Sequence, residues 1–545
     1  MNLDARLPPA DTGIALVNSL QHSDARQQSA ANPIVTLMKL VLRPGLLLVI
    51  SLASVVVAAG LVYWTPAPEA RPEPKPVQPG DREIVFLYQA TAASTWQRFV
   101  EAAKHLRGWR NFQVDDGNAF PRETTAVPEL VVSSGSAHGR LIFRWYKLTS
   151  TQRAADWMDA LLRRSPPPLA IVGGNTSDAA WEQATELQRA ARQLPEEQRP
   201  LLLLTTATAQ NVGEPSVALT QIYPGRTLRF CFTNQQMAEA VTEFLDGQEE
   251  LQVDKQRIYT AAWEDDSYSS DLTASFGTAV VRGGAPPEAA GQRIPSSIGL
   301  FDRPNEDETK AAGWLIDDFR KNWGPAGTPR PLLVVAGQSQ PSRRFLRALN
   351  VNLAAWERRF VVATGDTLSF NTIYRDRNTT WPIQDLPFSL LFFCHRNPVS
   401  ADSGFSPDAS SDRSESASNS GTEDLLLFKD LVRALLHSTT ADGAELGDAA
   451  TVTKRLSALR RSDVLDNATS DAVLFDEDGN RRTGTGEHVV WLEPTIDDSL
   501  RVLPKATITV WSRQVDGTGG ERWMQRRKLA VLYESPSGEP GHGGD

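Results

Sequence analysis

The stretch LAIVGGNTSDAAWEQA, residues 169–184, decides how this chain folds. An apolar run ends at Gly173 and Gly174, small and polar residues follow, and an amphipathic helical pattern then begins. This order predicts a strand, a loop and a helix N-terminus, where unpaired backbone N–H groups bind anions. The loop lacks both the Gly-Lys-Ser/Thr ending of a P-loop and the third glycine of a dinucleotide site. A nucleotide is therefore a poor candidate for the anion, and a tight turn with an Asx or Ser/Thr helix cap is the alternative interpretation.

The same alternation of apolar runs and amphipathic helical patterns extends through most of the chain. REIVFLYQ, RLIFRWYKL, LAIVGG and RPLLLLTT are predicted strands with helical patterns after the first three, and the alternation restarts after QQMAEAVTEFL with QRIYTAAW, PLLVVAG and RRFVVATGD. Continuous apolar strands separated by amphipathic helices indicate parallel sheets covered on both faces. The fold class is therefore α/β, with two doubly wound Rossmann-like lobes, a hinge and an interlobe cleft. Ligands of such sheets bind beyond the carboxyl ends of the strands.

One segment is too apolar for a soluble domain. PGLLLVISLASVVVAAGLVYW, residues 44–64, contains no charged residue and is long enough to cross a bilayer. A cleaved signal peptide would have a shorter apolar core and a shorter leader, so we expect an uncleaved transmembrane helix. The Pro-rich segment that follows is predicted to be an extended stalk. We therefore expect a single-pass protein of the cytoplasmic (inner) membrane, with its large domain on the periplasmic or extracellular side.

Composition excludes several classes of function. A net charge of −10 without a basic stripe argues against a nucleic-acid partner. Seven scattered histidines and two cysteines give no metal-ligand spacing, so we expect neither a metal nor another cofactor. No Ser/His/Asp order or G-x-S-x-G motif occurs, so an enzyme is not expected.

Several phrases together resemble the type I periplasmic binding proteins, in particular the Leu/Ile/Val-binding branch that serves ABC transporters. They are LAIVGGNTSDAAW, RPLLLLTTATA, QRIYTAAWEDDSYSSDL, FLRALN, VVATGDTLSFNTIYRD and LFDEDGNRR, in that order, and the resemblance runs from about residue 82 to residue 494. It implies a small-molecule ligand, an amino acid or something similar, bound between the lobes. It also implies an ABC permease as partner.

In the first lobe, the resemblance places a ligand carboxylate on the loops after the third and fourth strands. The matching residues are Thr176 and Ser177 in one loop, and Thr206 and Thr208 in the other. Charge-assisted hydrogen bonds from hydroxyl and backbone N–H groups would hold the carboxylate there. The alternatives are an ordinary helix cap for the first pair and β-branched residues at a strand end for the second.

In the second lobe, the resemblance points to an aromatic wall and an acidic residue. Tyr268 in WEDDSYSSD falls at the ligand-stacking tyrosine, and Asp366 in TGDTL at the acid that pairs with the ligand ammonium. A surface tyrosine and a turn cap are the alternatives. Ser269 replaces the glycine expected after the tyrosine. The family's first-loop phrase is missing and AGQSQ, residues 336–340, also departs from the pattern, so the identity of the ligand stays open.

The chain is expected to cross between the lobes near RTLRFCFTN and FSLLFFCHRNP, and each crossing carries one cysteine, Cys231 and Cys394. On neighbouring hinge strands the two could form a disulfide, or each could be a small buried residue. The predicted parts are a polar cytoplasmic leader (1–43), the transmembrane helix (44–64), the stalk (65–81), lobe 1 (82–228), lobe 2 (229–390), a return to lobe 1 (391–470) with a low-complexity insert (401–421), closing strands near the hinge and lobe 2 (471–514) and a polar tail (515–545).

Two functions fit these predictions. The first is a membrane-anchored extracytoplasmic solute-binding protein that captures a small polar, amino-acid-like ligand for an ABC transporter. The second is a ligand-sensing or protein-interaction ectodomain of the same fold with no transport role. The uncleaved anchor and the missing first-loop phrase favour the second.

Overall fold

The computed structural model describes residues 72–134, 139–281, 288–295, 303–322, 329–353, 360–368, 388–400, 423–440, 446–460, 463, 473–484, 486–497, 502–515 and 521–532. The predicted leader, transmembrane helix and low-complexity insert lie outside these residues. Among the helices within them, none combines the length and the apolar character needed to cross a membrane.

Lobe 1 is built on a seven-stranded sheet in the order β2-β3-β4-β1-β5-β6-β9. Its strands are β1 Arg82–Gln89, β2 Phe112–Asp115, β3 Glu129–Ser134, β4 Arg140–Leu148, β5 Ala170–Gly173, β6 Leu201–Leu204 and β9 Thr227–Arg229. The five strands from β4 to β9 are parallel, and β2 and β3 extend one edge in the antiparallel sense. The short strands β7 (Asn211–Val212) and β8 (Val217–Ala218) form a separate hairpin.

Helices cover both faces of this sheet. They are α1 Ala93–Lys104, α2 Ala154–Leu162, α3 Ser177–Ala190, the single turn α4 Leu219–Ile222, and from later in the chain α9 Glu423–Thr440 and α10 Ala449–Ser457. Ile84 and Phe86 of β1 pack in one core with α1, α9 and α10, whereas Val85 and Leu87 pack on the other side with α2 and α3. Alternate residues of a strand point to opposite faces, so an apolar run such as IVFL serves two cores.

Lobe 2 has an eight-stranded sheet in the order β11-β10-β12-β13-β14-β15-β16-β17. Its strands are β10 Val253–Trp263, β11 Glu288–Ile294, β12 Arg330–Ala336, β13 Val361–Ala363, β14 Ser389–Cys394, β15 His488–Ile496, β16 Val502–Val515 and β17 Glu521–Leu532. Its helices are α5 Asn234–Asp246, α6 Ser267–Val281, α7 Glu306–Asn322 and α8 Ser339–Asn352. One face packs on α5 and α6, and the other on α7 and α8. Both lobes are therefore doubly wound, as the sequence predicts.

The ends of three predicted segments differ from the structure. Residues 515–545 are predicted as a polar tail, but β17 pairs along β16 as the edge strand of lobe 2. The predicted return to lobe 1 begins at residue 391, but this residue lies within β14 of the lobe 2 sheet, which ends at Cys394. The last part of the stalk is not a free spacer, because Arg144 and Arg164 each donate a hydrogen bond to the Lys75 carbonyl (3.0 and 2.6 Å) and hold it on lobe 1.

The hinge brings distant parts of the chain together. Phe232 follows β9 and its backbone N–H donates to Nδ1 of His395, which follows β14, at 3.2 Å. A hairpin at residues 475–481 closes against the end of lobe 1, where Phe230 packs on Phe475 and the Arg229 N–H donates to the Gly479 carbonyl (2.8 Å). Gly479 has a φ of +82°, a left-handed conformation that suits glycine.

The possible disulfide is not formed. Cys231 and Cys394 are both buried thiols. Cys394 lies in the core between β10, α7 and α8, whereas the Cys231 thiol donates to the Ala207 carbonyl of lobe 1 at 3.5 Å. The two side chains therefore lie in different buried environments. Each is a small buried residue, which is the alternative interpretation of these two cysteines.

Candidate functional site

Of the four lobe 1 residues predicted to bind the ligand through their hydroxyl groups, three form hydrogen bonds within lobe 1. The Thr176 hydroxyl caps α3 by accepting from the Ala179 N–H (3.2 Å), which is the helix-cap alternative. Ser177 Oγ accepts from the Ala209 N–H (3.1 Å), and Thr206 Oγ1 donates to the Gly174 carbonyl (3.2 Å). These bonds tie the loop after β5 to the loop after β6. Together they brace the cleft wall of lobe 1.

Thr208 is different. Its side chain is fully buried, and its hydroxyl has no hydrogen-bond partner among the described residues. Its carbonyl accepts from the Asn234 N–H (2.8 Å), at the start of the first helix of lobe 2. Asn234 also donates from its side chain to the Tyr268 carbonyl (3.2 Å). Asn234 therefore joins two of the predicted site residues, one from each lobe.

The loop after β6 also accepts hydrogen bonds from the side chain of Arg229, the last residue of β9. Its guanidinium is fully buried and donates to the carbonyls of Thr208 (3.2 Å) and Ala209 (3.0 Å). Strands β6 and β9 are parallel neighbours with Leu204 opposite Arg229, so the loop that leaves β6 passes over this side chain. Burial lowers the pKa of Arg229, and Asp271 is among the acidic groups that partly offset this.

Asp271 of helix α6 connects the lobes directly. Its two carboxylate oxygens accept from the backbone N–H groups of Gln210 (2.8 Å) and Asn211 (3.0 Å) in lobe 1. Burial raises the pKa of Asp271, and these hydrogen bonds act in the opposite direction. The Asp271 carboxylate is thus bound by the end of the loop after β6, beyond the predicted residues Thr206 and Thr208.

The two predicted residues of lobe 2 face each other. The Tyr268 hydroxyl lies beside the Asp366 carboxylate and the Thr367 hydroxyl, and it has no standard hydrogen bond among the described residues. Burial, with Asp366 nearby, raises the pKa of Tyr268 well above its usual value. Tyr268 is 4% exposed and is therefore not the surface tyrosine of the alternative interpretation.

Asp366 is oriented by His395, a residue that none of the sequence motifs indicated. The Asp366 Oδ2 atom lies 2.9 Å from Nε2 of the buried His395, while Oδ1 has no partner among the described residues. Because Nδ1 of the same ring accepts from the Phe232 N–H, the proton of the neutral imidazole is assigned to Nε2, which donates to Asp366. A neutral histidine orients the carboxylate without cancelling its charge.

Other loops of lobe 2 are tied together around this pair. Ser269, which replaces the expected glycine, accepts from the Trp263 N–H (2.6 Å) and donates to the Ala336 carbonyl. The Trp263 ring lies against Gly337, so a β-carbon at that position would collide with it. Thr367 Oγ1 donates to the Gly337 carbonyl (3.0 Å). The departures Ser269 and AGQSQ therefore hold the ends of β10, β12 and β13 together.

A cavity of about 1190 Å³ opens between the lobes. Trp181 and residues 211–214 line it from lobe 1, and residues 262–267 and Arg293 from lobe 2. Its acidic lining residues are Asp178, Glu214, Glu264, Asp265, Asp266 and Asp271. None of the six predicted ligand-binding residues lines it. Thr208, Tyr268 and Asp366 therefore lie outside this cavity. Among the residues that the structure describes, no group of three or more His, Cys, Asp and Glu side chains is arranged to hold a metal ion.

The fold matches the type I periplasmic binding proteins, so the predicted resemblance is confirmed at the level of fold. An ABC transporter substrate-binding protein from Sphaerobacter thermophilus superposes with a TM-score of 0.50 at 11% sequence identity, over 83% of this chain and 98% of that one. This likeness shows the shared fold. No protein-family model matches the chain, and no curated protein matches its sequence.

Other similar structures belong to the same group. The branched-chain amino acid transporter substrate binding protein LivJ from Streptococcus pneumoniae, in complex with isoleucine, gives a TM-score of 0.48 at 11% identity, over 82% of this chain and 99% of that one. The leucine binding protein LivK from Thermotoga maritima gives 0.45 at 13% identity, over 83% of this chain and 99% of that one.

Proposed function

We propose that this chain is a membrane-anchored extracytoplasmic solute-binding protein. It captures a small polar ligand that carries an amino-acid-like ammonium group between its two lobes. It acts by binding, not by catalysis, and delivers the ligand to an ABC permease. The fold, which an ABC transporter substrate-binding protein from Sphaerobacter thermophilus shares, supports this class of function.

The observation that carries the proposal is the environment of Asp366. Its Oδ1 atom has no partner within the described residues, its side chain is only 12% exposed, and its neighbour His395 is neutral. Buried charges are normally paired, because an isolated carboxylate is costly to remove from water. A ligand ammonium would supply the missing charge, and the Tyr268 hydroxyl lies beside the same carboxylate. This arrangement favours a cation-binding site at Asp366.

The position of Asp366 also supports closure of the lobes on a ligand. Through His395 it is hydrogen bonded to the backbone of Phe232 at the hinge. A ligand held by Asp366 in lobe 2 and by Thr208 in lobe 1 would bridge the lobes and favour the closed state. Movement about such a hinge is an established mode of ligand capture.

The test is a thermal-unfolding screen of the purified full chain against amino acids, amines, aromatic acids and sugars. A ligand that binds only the folded state at 100 times its dissociation constant stabilises that state by about 2.7 kcal/mol. We expect at least one solute with an ammonium group to raise the melting temperature of the wild type. The Asp366→Asn variant should respond much less. If no solute stabilises the wild type, the chain is not a solute receptor, and the ectodomain that serves only protein interactions becomes the better account.

A further inference from the structure

We propose that lobe 1 carries a separate binding site, in which Arg110, Arg433 and His437 hold a phosphate group. The site goes beyond the proposed function, because none of these three residues is assigned to the solute. Arg110 lies in the short turn Trp109–Asn111 that follows α1, and the other two residues lie on α9. Helices α1 and α9 pack in the same core of lobe 1.

The three side chains meet beside one aromatic ring. The guanidinium carbon of Arg110 lies 4.7 Å from the centre of the Trp109 ring, and that of Arg433 lies 5.9 Å from it. His437 follows Arg433 by one helical turn, so the two side chains are neighbours on the surface of α9. The Nη1 atom of Arg110 lies 3.0 Å from Nδ1 of His437, which closes the cluster.

All three side chains of the cluster are hydrogen-bond donors. A guanidinium has no acceptor, so Nδ1 of His437 accepts from Arg110 and the proton of the neutral imidazole is assigned to Nε2. Burial lowers the pKa of His437, which favours this neutral form. The cluster therefore presents two guanidinium groups and one imidazole N–H.

The environment of Arg433 points to a ligand. Arg433 is 9% exposed, and its guanidinium has no acceptor among the described residues. Asp430, one turn earlier on α9, pairs instead with Arg396 at 3.2 Å. Arg344 of lobe 2 is also buried, but it has a counterion, Glu308, at 2.8 Å. Since a buried cation is normally paired, an anionic ligand would supply what Arg433 lacks.

A capping role at the end of α9 does not account for these side chains. Basic residues near a helix C-terminus can donate to the free carbonyl groups of the last turn. In α9 other groups donate to these carbonyls. The Leu436 carbonyl accepts from the Thr440 hydroxyl (2.7 Å), and the Ser438 carbonyl accepts from Arg455 (2.9 Å).

The donors of the cluster suit a phosphate group. Guanidinium groups bind phosphate and carboxylate oxygens through paired N–H donors. Three donor groups from three positions favour an anion with more than the two oxygens of a carboxylate. Because Arg110 is exposed, such an anion can reach the cluster from solvent. Free phosphate and the phosphodiester of a lipid headgroup share this chemistry.

The experiment is a calorimetric titration of the full chain, purified in a non-ionic detergent and in a buffer without other oxyanions. One probe is inorganic phosphate, and the other is glycerophosphoglycerol, a soluble lipid headgroup with a phosphodiester. We expect saturable binding of at least one probe. Tighter binding of inorganic phosphate would identify free phosphate as the source, and tighter binding of the diester would identify a lipid headgroup.

Three variants test the residues of the site. Arg433→Met removes the charge and keeps a flexible apolar side chain against Trp109, so it should weaken binding by about tenfold or more. Its melting temperature without ligand should equal or exceed that of the wild type, because no protein counterion is lost. Arg110→Gln changes an exposed residue and should also weaken binding. The matched control is Arg98→Met, which removes an arginine that pairs with Asp424 (3.2 Å) outside the cluster, and it should bind phosphate like the wild type.

The proposal is overturned if neither probe binds the wild type at millimolar concentration, or if Arg433→Met and Arg110→Gln bind as tightly as the wild type. An equal loss of affinity in Arg98→Met would also overturn it, because binding would then follow net charge. The Asp366→Asn variant should bind the probe like the wild type. The phosphate site and the solute site can therefore be rejected independently of each other.

Discussion

The Nε2 atom of His395 lies 2.9 Å from the Oδ2 atom of Asp366, and this contact joins the hinge to the candidate ligand site. The two residues are 29 positions apart in the chain. They meet because β13 and β14 are parallel neighbours, so that the loops leaving both strands start at the same edge of the sheet. The other ring nitrogen of His395 accepts from Phe232, on a different crossing between the lobes. The geometry of the hinge and the orientation of the ligand-binding carboxylate are thus coupled through one imidazole.

The first prediction compares the hydroxyl of Ser177, which stabilises the fold, with that of Thr208, which is proposed to bind the ligand. Ser177→Ala removes the acceptor of the buried Ala209 N–H, so the free energy of unfolding should fall by about 1–3 kcal/mol in urea denaturation. Thr208→Val removes a buried hydroxyl that has no partner among the described residues, so stability should be unchanged or slightly higher, while affinity for the solute should fall. Equal loss of stability in both variants would show that Thr208 is part of the brace.

The second prediction concerns the two thiols. Burial raises the pKa of Cys231 to about 12, and a protonated thiol is a poor nucleophile. Ellman's reagent should therefore not react with Cys231 or Cys394 in the native protein, and both should react after unfolding without a reductant. If the unfolded chain gives no thiol signal until it is reduced, the two cysteines are joined.

The third prediction is a loss of stability at alkaline pH. Burial raises the pKa values of Tyr88, Tyr146 and Tyr268, and that of Tyr223 to about 12. Unfolded tyrosines ionise near pH 10, so above that pH the unfolded state loses protons that the folded state retains. The free energy of unfolding should therefore be unaffected by these groups below about pH 10 and should fall as the pH rises further. Near-ultraviolet absorbance should show these tyrosines ionising only when the chain unfolds.

A fourth prediction concerns topology. If residues 44–64 form a membrane anchor and the lobes lie outside the cytoplasm, protease added to intact spheroplasts should digest the large domain. A cytoplasmic protein should survive in the same sample as a control for membrane integrity. Protection of the domain until the spheroplasts are lysed would reverse the proposed orientation.

The fold could be predicted from the sequence because the central strands of both sheets are buried on both faces. A fully buried strand such as β6, with the sequence LLLL, has an unbroken apolar run, and α3 has buried residues at helical spacing. Strand β17 was missed for the opposite reason. It is an edge strand, and six of its eight residues from Glu521 to Lys528 are charged or amide-bearing, so its composition resembles that of a solvent-exposed tail.

The candidate site was only partly predictable. Asp366 lies three residues after the end of β13 at Ala363, and the rule for parallel sheets places such a residue at the binding edge. His395 follows β14 in the same way, so this rule could also have selected it. Asp271 carries no comparable signal, because its partners, the N–H groups of Gln210 and Asn211, belong to the other lobe. Contacts between lobes depend on how they close, and no local sequence pattern encodes that.

The role of Asp366 is tested most directly by a calorimetric titration of the full chain and its Asp366→Asn variant with the ammonium-bearing solute that stabilises the wild type most in the thermal screen. If Asp366 pairs with the ligand ammonium, the substitution should weaken binding by about 2–5 kcal/mol, the usual cost of breaking a buried charge pair. Asp115→Asn, which changes an exposed aspartate at the end of β2, is the matched control and should bind like the wild type. Equal affinities of the wild type and Asp366→Asn would contradict the central claim that Asp366 holds the ligand.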